Sequence, residues 1–202
     1  MVTKRQSEVL GWIRKRGGSI RTTQAKELGI SPGTLYKLEE IGAVEMLGRG
    51  IFRLVGLPED DCGDLIRVAS RMPRGVFCLE TALHFHGLLS DTPKAIHVAV
   101  PPTTRTPVFE SISVVVHRFS GDSYTEGVEK RRIGGVTLRC YCAEKSLADC
   151  FRFRSKVGIE TCVQSLRRYC ERPEADLEKV RGYAKSCRVE TVIRPYLEAM
   201  GL

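Results

Sequence analysis

Residues 19–38 read SIRTTQAKELGISPGTLYKL, and this stretch predicts two helices joined by a tight corner. Thr22 or Thr23 caps the first helix, and Gly29 supplies at its end the left-handed backbone conformation that a β-carbon penalises. Ser31 caps the next helix, whose first turn accommodates Pro32 because the N–H that proline lacks has no helical partner there. Glycine, cap and proline in this order are typical of a helix-turn-helix motif.

The flanking residues extend this motif to a winged helix-turn-helix. A short amphipathic helix is predicted over 6–16. Strand-like runs over 43–47 and 51–55 are joined by a glycine-bracketed turn at 48–50, and a hairpin in this place is a wing. The predicted buried stripe of the helix before the wing consists of Leu35, Leu38 and Ile41.

A winged helix-turn-helix binds DNA by placing that helix in the major groove with its N-terminal end foremost. Side chains at the start of each motif helix and at the wing tip then face bases or backbone phosphates. We predict these DNA contacts at Arg21, Thr22, Thr23, Ser31, Gly33, Thr34, Tyr36, Lys37 and Arg49. The alternative is a winged helix used for protein contact, with Lys37 and Arg49 solvated.

The distribution of charge favours DNA as the partner. The 202 residues contain 32 basic and 24 acidic side chains, for a net charge of +8. Residues 1–55 hold ten of the basic and five of the acidic groups, so a quarter of the chain carries a net charge of +5. Positive charge concentrated in one module is typical of a polyanion-binding protein.

The rest of the chain predicts a mixed α/β domain. Strands are predicted over 95–100, 112–117 and 135–142, where β-branched and aromatic residues are frequent. A helix over 143–154 follows, and apolar residues at helical spacing then predict several amphipathic helices.

Three segments result from these patterns. A winged helix-turn-helix domain is predicted over 1–55, and a mixed α/β domain that ends in amphipathic helices over 65–202. Residues 56–64 contain the proline, glycine and acidic side chains of a linker, and the acids also suit the first turn of a following helix. The predicted fold class is α+β.

Four stretches of the sequence resemble the AbiEi-type antitoxins, which are described as transcriptional regulators of viral defence systems. The resemblance covers nearly the whole chain and is most specific in the last stretch. The stretches are GRGIFRL at 48–54, LETALHFHGL at 79–88, HVAVP at 97–101 and YCAEKSLADCFRFR at 141–154. Glu80 departs from the family, whose members often have serine there, and so does the number of cysteines.

The resemblance implies a protein with two activities. The winged helix would bind inverted repeats in its own promoter and repress transcription, so double-stranded promoter DNA is one implied partner. The second domain would counter a toxin that resembles nucleotidyltransferases. In the type IV toxin–antitoxin scheme, this neutralisation does not require a stable complex between the two proteins.

Five basic side chains of the second domain leave two interpretations open. They form either an antitoxin or auxiliary nucleic-acid surface, or a solvated face whose charge is nearly balanced locally. These residues are Lys145, Arg152, Arg154, Arg167 and Arg168.

The sequence argues against an enzyme. A restriction-type nuclease needs an acidic residue two positions before a lysine, and none of the ten lysines has one. Neither a glycine-rich phosphate loop nor a nucleophile elbow is present. We therefore expect no catalytic residue, metal or cofactor. A nucleic-acid-processing enzyme and a ligand-responsive regulator without a toxin are kept as alternative functions.

Cysteine usage and hydropathy both predict a cytoplasmic protein. The eight cysteines contain no C-x-x-C pair and mostly lie among apolar neighbours, so we expect reduced, buried thiols. No uncharged apolar run reaches the length of a membrane span, and the first residues lack the apolar core of a secretory signal. We expect no membrane contact.

Overall fold

The structure is a computed structural model that describes residues 3–15, 18–48, 50–56, 62–133 and 136–201. The chain divides into two compact units, and each is described by itself. The first consists of Met1–Pro73 with Arg131–Leu138, and the second of Arg74–Lys130 with Arg139–Leu202.

The first unit contains a winged helix-turn-helix. Its elements are α1 (Lys4–Lys15), β1 (Ser19–Arg21), α2 (Thr22–Glu27), α3 (Pro32–Glu40), β2 (Val44–Gly48), β3 (Ile51–Leu54) and α4 (Cys62–Arg71). The strands form an antiparallel sheet in the order β1-β3-β2, with Phe52 of β3 opposite both Ile20 and Met46. The prediction missed β1, because three residues are too few to display a strand pattern.

Most of the predicted core of this unit is confirmed. Leu35 and Leu38 of α3 are fully buried together with Ile13 of α1 and Phe52 of β3. The prediction for Ile41 is wrong, since its side chain is 47% exposed. The helix ends at Glu40, so Ile41 is the C-cap and leaves the helical spacing that would have turned it inward.

Helix α4 packs on the wing. The Arg67 guanidinium lies 2.8 Å from the Glu45 carboxylate of β2, and the Ser70 side chain sits against Gly48. The compact unit therefore continues past residue 55, where the sequence placed a domain boundary. Residues 57–61 of the predicted linker lie outside the described residues, and α4 begins within its last three positions.

The remaining elements of the chain are β4 (Val76–Phe77), α5 (Leu79–Phe85), β5 (Ile96–Val100), β6 (Val114–Arg118), α6 (Asp122–Thr125), β7 (Val128–Ile133), β8 (Val136–Tyr141), α7 (Ala143–Arg152), α8 (Arg154–Val157), α9 (Ile159–Cys170), α10 (Leu177–Ser186) and α11 (Glu190–Ala199). These strands form a mixed sheet in the order β6-β5-β4-β8-β7, and β7 and β8 include the stretch 131–138 that is grouped with the first unit. Pairing is antiparallel between β4 and β5, and parallel between β4 and β8 and between β5 and β6. The mixed sheet and the helical C-terminal part confirm the predicted α+β class.

The sequence analysis did not predict strand β7, because it is an edge strand without a buried side. Its sequence VEKRRI has four charged residues in succession, and all four are exposed. Charged side chains on an edge strand discourage pairing with another chain, and they also hide the alternation by which strands are recognised.

Helix α7 is the centre of the second unit. The seven consecutive residues from position 145 to 151 are buried, and Leu147 and Phe151 join the core with Tyr141 and Leu166. The helix contacts α5, α9 and α10. A helix buried on nearly all sides can present few of its side chains to a partner.

Within the described ranges, three further observations bear on the sequence expectations. The seven cysteines whose side chains are described carry free thiols, and six of them are buried. None of the described helices combines the length and apolarity needed to cross a membrane. No described set of three histidine, cysteine or acidic residues is arranged to hold a metal ion.

Two histidines and a glutamate form a hydrogen-bonded chain in the second unit. His97 Nε2 lies 3.2 Å from a Glu80 carboxylate oxygen, and His97 Nδ1 lies 3.0 Å from His117 Nε2. A carboxylate only accepts, so His97 donates from Nε2 and, when neutral, accepts at Nδ1 from the N–H of His117. Burial, followed by the charges of His97 and Lys156, lowers the pKa of His117 to about 4.

This pKa predicts acid sensitivity of the second unit. Above pH 6.5 His117 is neutral in both folded and unfolded chains, so its contribution to stability is complete. As the pH falls towards 4, His117 becomes protonated in the unfolded chain but stays neutral in the folded chain. The free energy of unfolding therefore decreases by roughly 2–3 kcal/mol. His117→Phe removes this titration and suits the neighbouring rings of Phe119 and Phe153. Urea unfolding of both proteins between pH 7 and 4 measures the difference; parallel curves would contradict the assignment.

A second prediction concerns the turn of the wing. Gly50 has a φ of +68°, and a β-carbon there would stand 2.7 Å from Thr22 Oγ1. We expect Gly50→Ala to lower the free energy of unfolding by about 2–3 kcal/mol, from backbone strain and this clash together. Gly29→Ala is the matched control, with the same φ and open space around the new carbon, and we expect about 1 kcal/mol. The fluorescence of Trp12, the single tryptophan, reports unfolding of this unit; equal losses would rule out the Thr22 contact.

Candidate nucleic-acid interface

One side of α3 is turned to solvent along its whole length. Ser31, Gly33, Tyr36 and Lys37 are exposed, whereas Leu35 is buried. This division follows from helical periodicity, because the apolar residues three positions apart anchor α3 on the core and leave the intervening ones outside.

The N-terminal end of α3 presents a pair of hydroxyls. Ser31 occupies the N-cap position and Pro32 the first helical position, as predicted, but the Ser31 side chain makes no capping hydrogen bond. The Ser31 Oγ and Thr34 Oγ1 atoms lie 2.9 Å apart, and either can be the donor. A β-carbon added to Gly33 would meet nothing within 4 Å. Hydroxyls at an open helix end can donate to or accept from a base edge or a phosphate.

Tyr36 and Lys37 stand next to each other on the exposed side. The Tyr36 ring packs edge-on against Phe52, with the ring centroids 5.2 Å apart, so the ring is held while its side chain remains 44% exposed. In the described part of the chain, no carboxylate lies within ion-pair distance of Lys37. Its charge is therefore available to an anion.

The predicted contacts at the start of α2 have different environments. Thr23 is exposed, and Arg21 is half-buried with its backbone N–H donating to Gln24 Oε1 at 3.1 Å. The Thr22 amide donates to the Gly50 carbonyl at 2.8 Å, so Thr22 ties α2 to the wing. The predicted wing-tip contact, Arg49, lies outside the described residues.

Sequence patterns gave no signal for two of the contacts that shape this surface. One is the Thr22–Gly50 hydrogen bond; the other joins Arg5 of α1 to the helix-turn-helix corner, where its guanidinium donates to the Gly29 carbonyl at 3.1 Å. Both join residues more than twenty positions apart, and only the folded chain brings them together.

One of the five basic residues predicted in the second domain is not on the surface. The structure corrects the prediction for Lys145, whose side chain is fully buried with its ammonium 2.6 Å from the equally buried Asp149 carboxylate. An i,i+4 spacing on α7 brings the two together, and the Tyr141 ring lies 4.6 Å below the ammonium. Lys145 is therefore a structural cation and cannot act as a surface one.

The other four residues are exposed. Arg152 and Arg154 line a cleft beside α7 and α8. Arg167 and Arg168 lie on α9, and the Arg168 guanidinium contacts the Leu88 carbonyl at 3.4 Å.

Comparison with known proteins bears on the first unit. Residues 7–55 match a family model described as "Transcriptional regulator, AbiEi antitoxin". The winged-helix segment is thus similar to AbiEi antitoxins. This match confirms the sequence resemblance over about a quarter of the chain, and it supports a transcriptional regulator of the antitoxin class.

A solved structure shares the fold over most of the chain. It is the crystal structure of the RV2827C protein from Mycobacterium tuberculosis, which has 16% sequence identity and a TM-score of 0.53. The likeness covers 98% of this chain and 82% of that one. Identity this low establishes similarity of fold alone. The comparison with curated protein sequences gives no significant match.

Proposed function

We propose that this protein is an AbiEi-type antitoxin that represses its own operon. In this proposal the winged helix binds inverted repeats in the promoter, and the second unit counters a nucleotidyltransferase-like toxin in the cytoplasm. The observation that carries the DNA-binding half is the solvent-facing side of α3, which begins with a hydroxyl pair and bears the unpaired Lys37.

The geometry of α3 suits entry into the major groove. Its N-terminal end is exposed, and Gly33 adds no bulk where the helix would meet the floor of the groove. Thr34 is placed to touch a base edge or a thymine methyl, and Lys37, one turn further on, to reach a guanine or a phosphate. Thr23 and Arg21, at the start of α2, lie where the motif meets the DNA backbone.

The wing extends the same surface. The Thr22 amide holds Gly50 against α2, and in this proposal the neighbouring Arg49 contacts the DNA bound by α3. In a winged helix, an arginine at the tip of the wing can enter the minor groove or bind a backbone phosphate.

We expect Lys37→Ala and Arg49→Ala to weaken binding to promoter DNA. If Lys37 reads a base, the loss is about 1–3 kcal/mol and restricted to the specific site. If it holds a phosphate, specific and unrelated DNA lose affinity equally, and the slope of log affinity against log salt falls by about one. Gel-shift titrations at several salt concentrations distinguish the two.

Lys185→Ala is the control for this experiment, because it removes one exposed positive charge from α10 of the second unit. We expect it to retain wild-type affinity. Unchanged affinity of the Lys37→Ala/Arg49→Ala double variant would reject the docking of α3 in DNA.

The antitoxin half is tested by rescue of growth. Cells that express the nucleotidyltransferase-like reading frame of the same operon should recover when this chain is produced from an unrelated promoter. The Lys37→Ala/Arg49→Ala variant should rescue equally well, because both changes lie in the first unit and away from the proposed antitoxin unit.

Colony counts with and without each protein give the result. Absence of rescue by the wild-type chain would exclude this toxin as its partner. Loss of rescue in the folded double variant would show that promoter binding and neutralisation share a surface.

A further inference from the structure

We propose that a cleft in the second unit binds the phosphates of a small ligand such as a nucleoside diphosphate. This inference is independent of promoter binding and of toxin neutralisation. The cleft has a volume of about 690 Å³, which is within the range of small-molecule sites. Its lining includes Asp122, Ser123, Glu126, Arg152, Arg154 and Arg188.

Three arginines converge on this cleft without carboxylate partners. Arg152 contacts the Ser123 hydroxyl at 3.3 Å, and Arg154 donates to the Phe151 carbonyl at 3.1 Å. Across the described residues, no acidic side chain lies within ion-pair distance of either, or of Arg188. Guanidinium groups present planar donor pairs that match phosphate oxygens.

The floor of the cleft adds almost no net charge. Lys145 and Asp149 neutralise each other there, and the Cys187 thiol donates to the second Asp149 oxygen at 3.4 Å. Burial raises the pKa of Asp149, while the adjacent Lys145 opposes this effect. The electrostatic character of the cleft is therefore set by the exposed arginines and by the two remaining acids, Asp122 and Glu126.

The backbone conformation of Arg188 supports a role for its side chain in ligand binding. Its φ is +58°, and it follows the C-cap of α10, where the Val189 amide closes the helix on the Ala184 carbonyl at 2.8 Å. Glycine is the usual residue at this position because it adopts a positive φ without strain. In this chain, glycine ends α2, α3 and α5 with a φ of +68° in each case, and those glycines are Gly29, Gly42 and Gly87. Arg188 therefore keeps a strained backbone at a position that glycine would occupy without strain, and its side chain lines the cleft.

The mixture of side chains defines the class of ligand. A polyphosphate that carries Mg²⁺ presents both signs of charge, and Mg²⁺ in such complexes is held by one or two carboxylates together with the phosphates. Asp122 and Glu126 can fill that role while the arginines and serines bind phosphate oxygens. None of the residues that line the described cleft is aromatic, so nothing there stacks on a base. We therefore assign recognition to the phosphates.

Isothermal titration calorimetry of the full chain tests this assignment. The probes are pyrophosphate, ADP and GDP, each with Mg²⁺ at constant ionic strength. We expect all three to bind with dissociation constants within a factor of about three of one another. The double variant Arg152→Gln/Arg188→Gly should bind each at least about tenfold more weakly.

Two variants control for folding and for charge. Arg188→Gly alone should raise the Tm of the unliganded protein, because it relieves the positive φ, and should nevertheless weaken binding. Arg181→Gln/Arg194→Gln removes two arginines that lie on α10 and α11 outside the cleft, and should bind like the wild type.

Several results would overturn the proposal. These are no binding of any probe at millimolar concentration, wild-type affinity of Arg152→Gln/Arg188→Gly, and equal loss in the control pair. Binding of one nucleotide without pyrophosphate would show that the base is recognised, and would overturn the assignment to phosphates.

Discussion

The Thr22 amide donates to the Gly50 carbonyl, and this hydrogen bond holds the wing turn against the start of α2. The contact is close because residue 50 has no side chain, so the Thr22 hydroxyl occupies the space where a β-carbon would stand. It joins the start of α2 to Gly50, the residue before β3. Phe52 of β3 connects the sheet to α3, because its buried ring packs edge-on against Tyr36 while its backbone pairs with Ile20 and Met46.

The first unit also shows how a small winged helix gains additional support. Helix α4 lies on the wing strand through the Arg67–Glu45 ion pair and the contact of Ser70 with Gly48. Exposed ion pairs contribute little free energy, so the value of this contact lies in orientation more than in stability. A wing that packs against a helix holds its turn in one orientation, and recognition of a DNA groove requires such a fixed orientation.

The second unit is organised on a different principle. Its central helix α7 is surrounded by other elements, and a buried ion pair between Lys145 and Asp149 lies next to the cleft. Burial of two charges costs several kcal/mol per ion unless the pair is well formed, and here it is completed by the Cys187 thiol and the Tyr141 ring. This arrangement leaves the exposed arginines of the cleft as the cationic groups that can contact a partner.

The amino-acid sequence by itself determined the helices and the hairpin of the winged helix, because glycine, cap and proline act on their immediate neighbours, but it did not reveal the short strand β1. It also determined which side of α3 is buried, through the spacing of Leu35 and Leu38, and failed at Ile41 only because the helix ends one residue earlier. It identified the main strands of the second unit and the free thiols for the same local reason. The tertiary structure alone decided that Lys145 is enclosed with Asp149, that α4 joins the winged helix, and that Arg152 and Arg188 line one cleft. These outcomes depend on contacts between residues distant in sequence, which no local pattern encodes.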